Sequence, residues 1–182
     1  NLRKEFNIPL DAFVVGHTGR YNSAKNHKSI IKVAIELSKK HDDIYFLMCG
    51  NGVKDNLQAT VERENLSDKI ILSNNRSDIP KFLKTLDCYY FPSISEGQPN
   101  ALIEAMIVGI PFVASNIEPN KETVPKEYFS HLIDPNDTEG AIDKILEIKK
   151  ANIKRDKLLS SWSKETYNPD KLFEKFYLEL MA

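Results

Sequence analysis

Short apolar runs alternate with helical stretches from one end of this chain to the other. The runs are Ala12–Gly16, Ile44–Cys49, Lys69–Leu72, Asp87–Pro92 and Pro111–Ser115, with a shorter one at 130–133. Continuous apolar runs of this length are those of strands buried on both faces of a parallel sheet. Between them, Asn26 caps a helix whose apolar positions (Ile30, Ile31, Val33, Ala34, Leu37) carry it to about His41. Gly50-Asn51-Gly52 leads into a helix ending near Asn65, and Ser77 or Asp78 opens a short one through Leu86. Pro99 suits a first helical position, and Gly109-Ile110-Pro111 stops that helix. Thr138 starts another, reaching about Lys150, and Leu2–Leu10 reads as a short helix or linker. Strict alternation with short connections predicts an α/β fold: a doubly wound, Rossmann-like parallel sheet of about six strands with helices on both faces.

Such sheets bind ligands at the C-terminal ends of their strands. The first four of those loops carry Arg20 and Lys25, Gly50 and Gly52, Arg76, and Glu96, so all should open on one edge. With 182 residues, 41% apolar and 28% charged, the chain is long enough for one domain with a full core. A net charge of −1 argues against general nucleic-acid binding or adhesion to an anionic surface. Cys49 and Cys88 sit in apolar runs as reduced core thiols, which fits a reducing, cytoplasmic setting. No leader or membrane-spanning run is evident, and the abrupt start without Met suggests an excised domain.

Glu104 is the informative residue. It is the only charge between Glu96 and Glu118, on a helix otherwise made of Ala, Leu, Ile, Met and Val. A carboxylate in that setting needs a partner. Two readings stand: an ion pair with a distant Arg or Lys, or a ligand contact. The helix start at Asn100, Ala101 and Leu102 offers N–H groups and a positive dipole end to a phosphate. One turn on, Glu104 would accept from neighbouring hydroxyls such as those of a ribose. A nucleotide-sugar site follows from the second reading.

The segment Glu96-Gly97-Gln98-Pro99-Asn100 through Glu104-Ala105-Met106, followed by Gly109-Ile110-Pro111-Phe112-Val113-Ala114-Ser115, resembles the Glu-x7-Glu signature of retaining group 1 (family 4) glycosyltransferases of GT-B fold. The resemblance runs over nearly the whole chain but matches only the C-terminal, donor-binding half of such an enzyme. It implies a single nucleotide-sugar-binding domain over residues 1–182, with 165–182 as a C-terminal helix and the N-terminal domain lying elsewhere.

For the site, the resemblance implies Arg20 and Lys25 on the donor diphosphate, where they also stabilise the departing nucleoside diphosphate. Glu96, with Gly97 and Gln98, would meet the donor sugar, and Glu104 the ribose hydroxyls. Asn100, Ala101 and Leu102 would serve the phosphates, while Asn75 and Arg76 line the base. Taken without the resemblance, Arg20 and Lys25 could equally belong to a solvated loop, and Glu96 could be a helix-dipole partner. His17 departs from the apolar residue common at this point in the family and, as a loop histidine, receives no role.

The Gly-x-Gly-x-x-Gly fingerprint, the P-loop, the Gly-x-Ser-x-Gly elbow and zinc spacings are absent. So is the Asp-x-Asp metal motif, in keeping with a metal-independent reaction and no cofactor beyond the donor. The implied activity is transfer of a hexosyl group from an NDP-sugar, with UDP the favoured nucleotide, to a glycan or lipid-linked acceptor. Retention could proceed by a front-face or a double-displacement route. Acceptor recognition, and a catalytic group if one is needed, would belong to the N-terminal domain, and the whole enzyme could associate peripherally with the inner face of the membrane. A non-catalytic nucleotide-sugar module and half of a GT-B sugar phosphorylase are the alternatives. The tail from Asn168 reads as a helix with an apolar stripe at Leu172, Phe173, Phe176, Tyr177 and Leu180, packed on the core or crossing toward the other domain.

Overall fold

A computed structural model describes residues 2–172 and 174. Six strands form one parallel sheet: β1 Phe13–Thr18, β2 Ile44–Cys49, β3 Ile70–Ser73, β4 Cys88–Phe91, β5 Phe112–Ser115 and β6 Leu132–Ile133. Their spatial order is 3-2-1-4-5-6, and every pairing is parallel. This is the doubly wound arrangement expected, with its reversal of strand order between β1 and β4. β1 is buried throughout, pairing Phe13–Thr18 with Ile44–Cys49 on one side and Val15 with Cys88 on the other.

The period-two alternation of the strands divides the core between two faces. Val15, Phe46, Met48, Cys88, Tyr90 and Val113 point to one. There they meet α2 (His27–Lys40), α3 (Val53–Arg63) and α7 (Thr138–Ala151). Val14, Leu47, Tyr89, Phe91, Phe112 and Ala114 point to the other, covered by α1 (Leu2–Glu5), α4 (Ile79–Thr85), α5 (Asn100–Val108) and α8 (Lys157–Thr166). Both cysteines are free and buried.

Three elements were not foreseen: α6 (Glu118–Thr123), the 3-10 helix Lys126–His131, and α8. The last bears on the site, because it braces α5. Ser160 Oγ donates to the Ile107 carbonyl at 2.7 Å, and the Asp156 N–H donates to the Gly109 carbonyl at 2.7 Å. Gly109 closes α5 with φ 75° and passes so near α8 that a Cβ there would lie 2.6 Å from the Asp156 carbonyl oxygen. A left-handed turn and a close crossing both require glycine at this position. On the tail, residues 169–172 are helical and Leu172 is 47% exposed. Phe173, Phe176, Tyr177 and Leu180 of the expected stripe lie outside the described residues.

Candidate functional site

A cleft of about 380 Å³ opens over the C-terminal ends of the strands, beside the β1/β4 reversal. The loop after β1 supplies Thr18, Gly19 and Arg20, and the loop after β2 supplies Cys49, Gly50 and Asn51. Asn75, Arg76 and Ile79 close it from the β3 side, with Ala101 and Glu104 from α5. A second depression, of about 260 Å³ and lined by Pro111, Tyr128, His131 and Lys144, lies at the opposite end of β5 and gathers none of these residues.

The first two loops are joined through their backbones. The Gly19 N–H donates to the Cys49 carbonyl and the Tyr21 N–H to the Asn51 carbonyl, both at 2.9 Å. A Cβ on Gly50 would sit 1.9 Å from the Gly19 carbonyl oxygen. The missing side chain of Gly50 thus lets the β1 loop lie against the β2 loop.

Arg20 is exposed at the cleft wall and makes no hydrogen bond or ion pair among the described residues. Glu104 lines the same cleft and is likewise without a hydrogen bond or salt bridge among the described residues. Its position corrects the picture of a carboxylate enclosed in apolar surroundings. Asn100 and Glu104, one turn apart, are the exposed positions of α5, while Leu102, Ile103, Ala105 and Met106 face the core. Partial loss of water raises the Glu104 pKa above its ordinary value.

The start of α5 is less open than expected. Pro99 stands at the N-cap, one residue earlier than predicted. The Asn100 N–H donates to the Gln98 carbonyl and the Leu102 N–H to the Pro99 carbonyl, each at 2.9 Å. Of the three N–H groups proposed as phosphate donors, only that of Ala101 has no backbone acceptor among the described residues. Gln98 and Gly97 lie exposed at the loop tip, and nothing stands within 4 Å of a Cβ built on Gly97.

Lys25 and Glu96 meet directly. Lys25 Nζ lies 2.7 Å from Glu96 Oε1 and 4.8 Å from the centre of the Phe91 ring. The Lys25 stem runs past Gly19, with Cδ 3.3 Å from where a Cβ there would sit. The loop holding Glu96 is fixed on its N-terminal side at two points. The Ile94 N–H donates to the Ala24 carbonyl at 2.7 Å, and Ser115 Oγ donates to the Ser93 carbonyl at 2.5 Å. Asn120 Nδ2 donates in turn to the carbonyl and Oγ of Ser115, both at 2.9 Å.

Arg76 reaches the cleft with its charge already engaged. Its guanidinium grips both carboxylate oxygens of Asp78 (2.7 and 2.9 Å), bonds Glu5 at 3.0 Å and covers the Phe6 ring. Bonding to Asp78 drives its pKa further up. Asn75 is exposed on the same loop.

His17 is the clearest departure from the sequence reading. It is a residue of β1, only 1% exposed, rather than part of a solvated loop. Its Nδ1 bonds the Tyr90 carbonyl at 3.0 Å, which makes Nδ1 the donor and leaves Nε2 an acceptor with no partner among the described residues. His27 meets it edge-on at 5.1 Å, and its ring interacts with the backbone of Asn22. Burial lowers the His17 pKa to about 3, with His27 and Lys25 adding to the effect. Burial likewise lowers that of His27 to about 4.

Comparison with known proteins identifies the lineage. The family described as glycosyl transferases group 1 matches residues 1–168. This chain belongs to the group 1 glycosyltransferases. An Escherichia coli UDP-Gal:alpha-D-GlcNAc-diphosphoundecaprenol alpha-1,3-galactosyltransferase is 29% identical over 91% of the chain and 42% of its own length. The E. coli O-antigen biosynthesis glycosyltransferase WclY is 34% identical over 64% of the chain and 32% of its own length. The chain thus spans less than half of these group 1 relatives. Among solved structures, Anabaena Alr3699/HepE in complex with UDP and glucose superposes with TM-score 0.84 at 20% identity. That match covers 99% of this chain and 51% of the Anabaena protein. The C-terminal domain of a group 1 protein, LpcC of Francisella tularensis, gives TM-score 0.69 at 22% identity, covering 86% and 82%. These structural likenesses establish a shared fold. No helix among the described residues is long and apolar enough to cross a membrane.

Proposed function

We propose that this chain is the donor-binding half of a retaining, metal-independent hexosyltransferase that uses a UDP-sugar to extend a glycan or a lipid-linked saccharide. One observation carries the reading. The cleft at the strand ends holds a guanidinium and a carboxylate that neither pair with each other nor with the rest of the described chain. An unpaired cation and an unpaired anion on one wall suit a ligand that brings both a negative diphosphate and neutral hydroxyl donors. Arg20 takes the diphosphate and Glu104 accepts from the ribose hydroxyls. Asn75 and the Arg76 loop border the base, and the Ala101 N–H meets a phosphate oxygen with Asn100 beside it.

Lys25 and Glu96 complete the site from the far side of Gly19. In the free chain they neutralise each other. When a donor enters, Glu96 exchanges the ammonium for sugar hydroxyls near Gly97 and Gln98, and Lys25 turns to the phosphates. Charge that develops on the departing UDP then falls between Arg20 and Lys25. The galactosyltransferase and O-antigen relatives support the substrate class, as does the UDP bound by the Anabaena neighbour. The acceptor and its own catalytic partners belong to the N-terminal half of the enzyme, so the isolated chain binds donor without turning it over.

Calorimetric titration of the chain with UDP, GDP, ADP and uridine tests the proposal. UDP should bind more tightly than the other diphosphates, and uridine more weakly than UDP. A folded chain indifferent to all nucleoside diphosphates would overturn it.

A further inference from the structure

Arg76 lines the donor cleft with a guanidinium that is fixed from outside it. Its Nε and Nη2 donate to the two carboxylate oxygens of Asp78 at 2.7 and 2.9 Å, and its Nη1 donates to Glu5 at 3.0 Å. The Phe6 ring covers one face of the planar group, its centre 5.2 Å from Cζ. We propose that Glu5 and Phe6, neither of which lines the cleft, are positioning residues that set the choice of nucleobase through Arg76. The inference rests on the donor reading above, in which the Arg76 loop borders the base.

The first observation is electrostatic. Two carboxylates offset the charge of Arg76, whereas Arg20 on the same cleft makes no hydrogen bond or ion pair among the described residues. A guanidinium already neutralised draws little on a diphosphate. The two cations are thereby sorted, Arg20 for phosphate and Arg76 for an uncharged part of the ligand. Asp78 and Glu5 occupy three N–H groups of Arg76, and what remains of it can only donate. A donor-only wall matches the carbonyl oxygens of uracil and gains nothing from the amino group of adenine.

The second observation is that local structure is given up to hold this group. Asp78 is the N-cap of α4, where an aspartate ordinarily accepts from the free N–H groups of its own helix. Here its side chain makes no capping bond, and both of its oxygens go to Arg76.

α1 is itself firmly seated. Arg3 donates to the carbonyls of Leu10 (3.0 Å), Ala12 (2.7 Å) and Thr85 (3.0 Å), and pairs with Asp87 at 2.7 Å. Leu2 and Ile8 are buried on either side of it, and Phe6 packs against the same apolar cluster. Glu5 and Phe6 are thus anchored to the sheet, and they hold Arg76 in one orientation before a ligand arrives. Such preorganisation leaves little side-chain freedom to lose on binding, or to spend on accommodating a second base.

The test is calorimetric titration of Phe6→Leu, Phe6→Tyr and Glu5→Ala with UDP and with ADP, each variant also followed by thermal melting. Phe6→Leu and Glu5→Ala should each weaken UDP about two- to fivefold, the scale of one partly exposed cation–π contact or ion pair. ADP affinity should not change, so the preference for UDP shrinks by the same factor. Phe6→Tyr, which keeps the ring, should bind UDP as the parent chain does. Equal losses for UDP and ADP would mark a general loosening and overturn the positioning role, as would UDP affinity indifferent to both Phe6→Leu and Glu5→Ala. A parent chain that binds no nucleoside diphosphate would instead overturn the donor reading, and this inference with it.

Discussion

Lys25 Nζ and Glu96 Oε1 stand 2.7 Å apart, joining the loop after β1 to the loop after β4 across the reversal of strand order. In the proposed donor complex each has another partner, so donor binding would begin by breaking this contact. In Glu96→Gln the ammonium is released toward the phosphates at once. UDP should then bind about two- to fivefold more tightly, the worth of a partly exposed ion pair. Calorimetry with UDP checks this, and unchanged or weaker binding would show that Lys25 does not reach the diphosphate.

Arg20→Ala removes a charged donor that makes no hydrogen bond or ion pair among the described residues. UDP affinity should drop roughly 10- to 150-fold, the range for a charge-assisted hydrogen bond, while uridine affinity stays constant. Equal losses for UDP and uridine would place Arg20 away from the phosphates.

Glu104→Ala should weaken UDP by a similar factor, and the loss should vanish with 2′,3′-dideoxy-UDP. That double comparison isolates the ribose contact from any general effect on α5. Because partial desolvation raises the Glu104 pKa, UDP binding should begin to fall with acid at a higher pH than an ordinary glutamate would set. A deoxy analogue that feels the substitution as strongly as UDP would exclude this contact.

The buried histidines make stability depend on pH in a definite sense. His17 and His27 stay neutral in the folded chain down to about pH 3 and 4, while in the unfolded chain each takes up a proton near 6.5. Between those limits the unfolded state holds more protons, so stability falls as pH falls. Each histidine contributes a slope of about 1.4 kcal/mol per pH unit below 6.5. Urea denaturation at pH 7, 6 and 5 reads it directly. His17→Asn with His27→Asn should flatten the curve, and an unchanged slope would show that other groups govern it.

Gly50→Ala sets a methyl group against the Gly19 carbonyl. The backbone must shift, at a cost of about 1–3 kcal/mol, and the β1 loop carrying Arg20 shifts with it. Thermal melting and UDP titration should both register the change. A stable variant with normal UDP binding would mean that the two loops are not held together as described.

What the sequence made legible was whatever announces itself by apolar periodicity. All six strands and helices α2, α3, α4, α5 and α7 do so, and Asn26 caps α2 as expected. α8 was hidden because its buried positions are Leu159 and Ser163, and a serine does not register as core. The signal that would have revealed it is Asp156, whose side chain accepts from the Leu159 N–H as an N-cap. His17 and Thr18 were read as loop because they are polar. They remain strand inside the sheet, where the Tyr90 carbonyl bonds one ring nitrogen of His17 and the Tyr89 hydroxyl bonds Thr18. Glu104 was singled out for its isolation, yet the sequence could not show which way it faced. That depended on α5 packing through its other flank against the sheet and α8.

The rim of the cleft is stitched almost wholly by main-chain bonds: Gly19 to Cys49, Tyr21 to Asn51, Ile94 to Ala24. Side chains at 20 and 51 are thereby spared any duty in keeping their own loops in place. A replacement at either position would therefore change what the cleft can hold, as expected of Arg20→Ala, without loosening the scaffold that presents it.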